Sequence, residues 1–287
     1  MATTAKKYRF LLIQPFQIPG NSKYYLSREG LPKEKRLMNY DNVKHLLADV
    51  EWDLDEGPVA PYGDWAVENR EEFCLVAAGR IPIVRAACES GRYNAIVLLG
   101  GGEPAFLESL EIGRKYGVAV TSNASSQMHI ACLLGNKFSV IDFAESHNMY
   151  YRSLIIQHRF ADRCASIRNI GYYHPRPGYE GEPYLNQEKA KALRGEDSQA
   201  VETAVKEAEA ALSEDGAEVI TFGCSGVFWL QPFVQKGLLE KGWEVPVLEG
   251  YSCAIELAKL KVNLGLTVSG ITFPDDRPKQ RPRKVVL

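Results

Sequence analysis

Cys224 is the residue of this sequence best placed to do chemistry. It stands in Gly223-Cys224-Ser225-Gly226, directly after the apolar run at 217–222. The pattern predicts a strand that gives way to a helix across this turn. Glycine on either side lets the backbone turn sharply and approach a ligand closely. At a helix start, unpaired N–H groups and the helix dipole favour negative charge. The thiol is therefore expected to ionise more readily than a free cysteine, and the thiolate is its reactive form. The N–H groups of Ser225 and Gly226 could hold a substrate carboxylate or a developing enolate oxygen. The competing reading is a small buried hydrophobe in a tight turn.

Gly100-Gly101-Gly102-Glu103 forms a second turn of the same kind, after the apolar run at 95–99. Consecutive glycines are costly to order. A close ligand or a close backbone would justify that cost; a plain flexible turn is the alternative. No phosphate-loop Gly-Lys-Ser/Thr follows, and the third glycine of GxGxxG is missing, so nucleotide binding is unsupported. In open α/β sheets, ligands bind beyond the carboxyl ends of the strands. Ser122, Asn123 and Ser125 stand at such an end. They read as ordinary helix caps that could also face the crevice. Gln14 and Pro15, where the first strand stops, complete the expected substrate-binding set with Gly100, Gly101, Gly102, Gly223, Ser225 and Gly226.

Other reactive types are scattered. Histidines fall at 45, 129, 147, 158 and 174. His129 sits inside a helical pattern and reads as packed or solvated. His147 follows a strand and could line the cleft. No Cys-His or Ser-His-Asp arrangement stands out. Cysteines at 74, 88, 132, 164, 224 and 253 show neither CxxC pairing nor zinc spacing. They are expected to be free thiols in a reducing compartment.

Strands and helices must position these turns. A strand is expected at 8–13. The stretch 20–63 reads as loop with one helix near 42–48. Residues 64–90 read as a helix broken or joined around Ile81-Pro82. Strands follow at 95–99, 118–120, 138–141, 166–170, 217–222 and 245–248. Helices are expected from 103 to 116, closed by Gly117, and at 122–134, 153–163, 186–213, 226–237 and 251–264; 171–184 reads as loop. Alternation of strand and helix predicts an α/β fold of parallel sheets flanked by helices. The segments 95–106 and 217–228 echo each other as strand, glycine turn and helix start. Two related halves with a site between them would explain the echo.

The bulk composition suits a soluble enzyme. The chain has 287 residues, 45% hydrophobic and 24% charged, with a formal net charge of -2. That length suggests one large domain or two ordinary ones. The charge marks neither a nucleic-acid nor a membrane-surface binder. No apolar run is long enough to cross a bilayer or to serve as a signal peptide. A cytoplasmic location is expected. The basic run at 277–284 reads as an extended, solvated tail.

At its two glycine turns the chain resembles the aspartate/glutamate/hydantoin racemase superfamily. Ala217-Glu218-Val219-Ile220-Thr221-Phe222-Gly223-Cys224-Ser225-Gly226 looks like the family's second cysteine motif, and Val245-Pro246-Val247-Leu248-Glu249-Gly250 like the segment after it. Leu133-Leu134-Gly135-Asn136-Lys137-Phe138-Ser139-Val140 and Ser166-Ile167-Arg168-Asn169-Ile170-Gly171 are similar to stretches between the two motifs. Gly102-Glu103-Pro104 is similar to the Gly-Asp-Pro after the first cysteine in hydantoin racemases. The resemblance spans about 94–264 plus the first strand. Residues 23–65 and 172–199 stand outside it.

The resemblance implies two pseudo-symmetric α/β domains with the active site in the cleft between them. Residues 1–121 with 228–287 would form the first, and 122–227 the second. It implies no metal and no organic cofactor, and a small carboxylate or cyclic imide as substrate. It leaves a homo-oligomer open. In the family, two cysteines on opposite faces of the substrate carbon exchange a proton. Here the first cysteine position falls on Gly100. Glycine there, with one remaining cysteine, is similar to arylmalonate decarboxylases, in which loss of CO2 generates the enolate that a single Cys protonates. The residues around it are more similar to hydantoin racemases. Glu103 could serve as the second base, or be an acid favoured in the first turn of a helix. A racemase or isomerase acting next to a carbonyl is the expected activity. A one-cysteine decarboxylase of a malonate-like acid and a non-catalytic binder are the alternatives.

Overall fold

The computed structural model describes residues 7–25, 28–181, 184–274, 280 and 284. Most of the basic tail lies outside the described residues. The chain opens with strand β1 (Tyr8–Ile13), the single-turn helices α1 (Lys33–Arg36) and α2 (Tyr40–Val43), and strand β2 (Val50–Asp55). β2 falls where loop was expected. Its signal was a plain one: Val50, Trp52 and Leu54 alternate with Glu51, Asp53 and Asp55, the period-two pattern of an edge strand. The helix expected over 42–48 is only the short α2 and the turns after it.

Helix α3 (Arg70–Glu89) starts at Arg70 rather than near Asp64. Asn69 Oδ1 accepts from Glu72 N at 3.0 Å, and the Glu72 carboxylate accepts from Asn69 N at 3.3 Å. That reciprocal cap fixes the boundary. Pro82 lies inside the helix without ending it. Then come β3 (Ala95–Leu98), α4 (Phe106–Tyr116), β4 (Ala119–Ser122), α5 (Asn123–Leu134), β5 (Phe138–Asp142), α6 (Asn148–Gln157) and β6 (Cys164–Asn169). The helix expected at 153–163 lies earlier, because Arg159 at φ 64° cannot continue it. The single helix expected at 186–213 is two, α7 (Leu185–Leu193) and α8 (Gln199–Ser213). Gly195 in the left-handed region ends the first, and the Ser198 side chain caps the second.

After β7 (Val219–Phe222), a 3-10 turn (Ser225–Leu230) leads to α9 (Gln231–Glu240) and finally α10 (Gly250–Leu264). The strand expected at 245–248 reduces to a single bridge, Val247 to Ile220. Pro246 has no N–H to extend the ladder.

All named pairings are parallel. One sheet has the order β2-β1-β3-β4, the other β6-β5-β7. In the first, Leu11, Ile13, Ile96 and Leu98 point to α3 and α4, while Phe10, Leu12, Val97 and Leu99 point to the core shared with α10 and the second sheet. Burial on both faces explains why these strands read as unbroken apolar runs. Each aliphatic side chain so buried contributes roughly 2 kcal/mol. α9 packs on α8, with Gly237 against Val205, and α10 packs back on β3 and β4. Among the described residues, no helix is long and apolar enough to cross a membrane.

Candidate active site at the junction of the two glycine turns

The two turns of the sequence echo meet in space. A Cβ on Gly101 would collide with the carbonyl oxygen of Gly223 and with the hydroxyl of Tyr151. A Cβ on Gly223 would strike the carboxylate of Asp142. Glycine is needed at both places for close approach, not for ligand binding as such. β5 and β7 are neighbours, so Asp142 at the end of one lies beside Cys224 beyond the end of the other. Asp142 is fully buried. Its Oδ1 accepts from Cys224 N at 3.1 Å and from Phe143 N at 2.8 Å. Its Oδ2 faces His147 Nδ1 at 3.2 Å.

Cys224 is only half-buried, and its sulfur accepts from Gly226 N at 3.4 Å. The expectation of an easily ionised thiol is corrected here. Burial, and then the charge of Asp142, push the thiol up to about 12, against the smaller pull of the Gly226 and Ser225 hydrogen bonds. The helix expected to follow is a six-residue 3-10 segment. At neutral pH the group is a protonated acid rather than a thiolate. The anion cradle expected of Ser225 and Gly226 changes too, since the Gly226 N–H is turned onto the sulfur. Ser225 is buried, and its carbonyl accepts from Asn39 Nδ2 at 2.8 Å.

Around the sulfur stand polar groups of which the sequence offered only His147 as one that could line the cleft. His174 Nε2 lies beside Gly226, whose Cβ position is 3.1 Å from it and 3.7 Å from the Cys224 sulfur. The His174 ring packs 4.5 Å from Phe143 and 6.3 Å from Tyr25. Burial, and then His147, lower His174 to about 4, so it stays neutral. His147 packs edge-on to Phe143 at 5.0 Å and to Phe73 at 6.3 Å. Tyr25 Oη, His147 Nε2, Tyr151 Oη and His174 Nδ1 are buried with no hydrogen-bond partner among the described residues. Ten such atoms occur among the described residues, and the gathering of four of them about one thiol suits a ligand site.

Tyr25 and His174 come from the two segments that stood outside the family resemblance. Arg176 ties these segments to the scaffold, donating to Glu68 at 3.0 Å and to Glu72 at 2.8 Å. Tyr25 and Tyr151 carry no sequence pattern that would have found them. His147 and His174 were visible as residue types but not as neighbours of Cys224.

The remaining expected site residues hold the first turn in place. Gly100 adopts φ 99°, and a Cβ there would lie 2.8 Å from Pro15 Cβ. Gly102 abuts the Phe73 ring. Arg80, fully buried in α3, donates to the carbonyls of Ile13, Gln14, Leu99 and Pro104. It thereby clamps the ends of β1 and β3. Glu103 Oε1 accepts from the Ser122 hydroxyl and from Ser125 N at 2.5 Å, and Oε2 faces His158 Nε2 at 2.6 Å. With both oxygens so engaged, Glu103 is a tether rather than a poised base. Asn123, with its amide turned to satisfy both neighbours, accepts from Gly100 N at 2.9 Å and donates to Gly250 O. Gln14 Nε2 donates to Glu56 at 2.7 Å.

This architecture recurs in solved structures. Allantoin racemase from Klebsiella pneumoniae superposes with a TM-score of 0.67 at 22% identity, over 94% of this chain and 95% of that one. Unliganded arylmalonate decarboxylase gives 0.50 at 12% identity, over 91% and 94%. Parallel α/β halves that meet at a cysteine turn thus define a fold of the two-domain racemase class. In sequence, the hydantoin racemase of Pseudomonas sp. (strain NS671) is 27% identical over 209 residues, 72% of this chain and 73% of that protein. Residues 76–258 match the Asp/Glu/Hydantoin racemase family model, and the chain belongs to that family. It is an enzyme of the racemase or isomerase type.

Proposed function

We propose that the enzyme transfers a proton at the carbon next to a carbonyl of a neutral, cyclic ureide or imide, with Cys224 as the proton donor and without a metal or organic cofactor. One observation carries this reading. A half-buried thiol stands among buried Tyr and His atoms that have no partner among the described residues, and burial and Asp142 hold it protonated. A thiol is a good donor to a carbanion, and Tyr hydroxyls can hydrogen-bond the enolate oxygen as charge develops on it.

Charge argues for a neutral ring over an amino acid or a dicarboxylate. Asp142 and Glu68 are the charges acting on Cys224, and both raise its pKa. Arg176 is already paired with Glu68 and Glu72. His174 stays neutral. An entering carboxylate would add like charge beside Asp142 and Glu68. A flat ring with N–H and C=O groups would satisfy the Tyr and His atoms directly.

A second reading keeps support from Gly100. Decarboxylation of a malonate-like acid makes its own carbanion, so it needs one donor and no second thiol. Incubation of single enantiomers of 5-benzylhydantoin in heavy water separates the two. Incorporation of deuterium with loss of optical activity is the expected outcome, and Cys224→Ala should lower that turnover by at least about a hundredfold. Release of CO2 from phenylmalonate without hydantoin exchange would favour the decarboxylase. Ligand affinity without turnover, unchanged in Cys224→Ala, would make the protein a binder.

A further inference from the structure

We propose that His147 is the second proton carrier, working on the substrate face opposite Cys224 in place of the thiol that Gly100 cannot supply. This rests on the reading of Cys224 above and extends it. Gly100 is closed to any side chain by its left-handed backbone and by Pro15. Glu103 has both oxygens engaged, and His174 is too weak a base. His147 meets the requirements those groups fail. Its Nδ1 is held by Asp142, the same carboxylate that anchors Cys224 N, so one residue sets the positions of both groups. A histidine held at Nδ1 by a carboxylate presents Nε2 as its base, and here Nε2 has no partner among the described residues.

The placement also fits. Phe73 touches both His147 and Gly102, and Tyr151 lies between His147 and Gly101. His147 thus bridges the junction, packed on Asp142 and Phe143 at the second turn and joined to the first turn through Phe73 and Tyr151. The groups facing it are Asp142 from β5, Glu68 ahead of α3, Arg176 and His174 from the stretch 171–181, and Tyr151 from α6. Burial lowers His147, but Asp142 and Glu68 outweigh it and leave the imidazole a stronger base than usual.

The step balances. His147 Nε2 removes the substrate's α-hydrogen as a proton, and the C–H electron pair moves onto the adjacent carbonyl as an enolate. The pair then returns to carbon and takes the proton of the Cys224 thiol on the other face. Imidazolium and thiolate remain, and the same pair handles the opposite enantiomer in reverse.

The test is α-hydrogen exchange of each enantiomer of 5-benzylhydantoin in heavy water. Cys224→Ala should lose racemisation by about a hundredfold or more while still exchanging one enantiomer without inversion. That residual exchange should rise with pH through a single ionisation above the ordinary histidine value of about 6.5. His147→Gln, which can still donate to Asp142, should lose racemisation equally, and exchange of the mirror-image enantiomer should appear only at high pH, as the Cys224 thiol ionises. A fully active His147→Gln beside an inactive Cys224→Ala would overturn the role of His147 and leave that of Cys224 standing. Loss of exchange of both enantiomers in Cys224→Ala would also overturn it. A fully active Cys224→Ala, or a wild type that exchanges neither enantiomer, would sink the reading beneath it. Should His147→Gln fail to fold, the pH profile of Cys224→Ala alone decides.

Discussion

The sign of one pKa shift decides what Cys224 does. A helix start and two flanking glycines suggested a thiolate. Burial of the thiol, and then the carboxylate at the end of the neighbouring strand, outweigh them, and the thiol keeps its proton. Alkylation by iodoacetamide checks this directly, since only the thiolate reacts. Modification of Cys224, followed by peptide mass analysis, should be slow at pH 7 and climb tenfold per pH unit toward a midpoint near 12. A plateau below pH 9 would mean that burial and Asp142 do not hold the thiol protonated. The residue types that form the wall were in plain view in the sequence. Their convergence was not, because Tyr25, His147, Tyr151 and His174 are spread over a long stretch of chain and share no motif.

At the scale of elements, β3 with its glycine turn and β7 with its cysteine turn were legible because both are apolar runs stopped by glycine. Their junction explains why the first turn is so poor in side chains. Gly101 and Gly102 face backbone and ring atoms at contact distance, and Gly100 faces Pro15 with a positive φ. Gly100→Cys should therefore not restore a two-thiol enzyme. It is expected to cost about 3 kcal/mol, from the strained backbone and the crowding against Pro15. Urea unfolding together with a hydantoin racemisation assay would show it; a stable variant with raised activity would refute the account. β2 was missed although its alternation was present, because the polar, turn-rich residues around it masked a six-residue signal. The boundaries of α3, α6 and α7 were displaced because caps and left-handed residues, not periodicity, end helices.

Across the whole molecule, Tyr25 from near the start of the chain meets His174 beside Cys224, and Arg176 fastens the stretch 171–181 to Glu68 and Glu72. Burial pushes Glu72 up, yet hydrogen bonds from Trp65, Arg176 and the backbone outweigh it and hold Glu72 below the usual carboxylate range. A depressed carboxyl stabilises the fold above its unfolded value, about 4.3, and that contribution is lost as pH falls through the lower folded value. Arg176→Gln should cost about 3 kcal/mol at pH 7, because it leaves Glu68 and Glu72 buried without their cation. The difference in stability from wild type, followed by urea unfolding, should close below about pH 4. It should also raise KM more than it lowers kcat, since the stretch carrying His174 would be released while Cys224 stays in place. A variant with unchanged KM would argue against a binding role for that stretch.

By itself, the sequence determined the α/β class, the family and the one cysteine worth testing. Each of these is written in local order, as apolar runs, glycine turns and a contiguous motif. Only the tertiary structure decided that the thiol is an acid, that Glu103 is tethered, and that His147 shares an anchor with Cys224. Those outcomes depend on burial and on charges brought together by parallel strand pairing, and no local pattern encodes either.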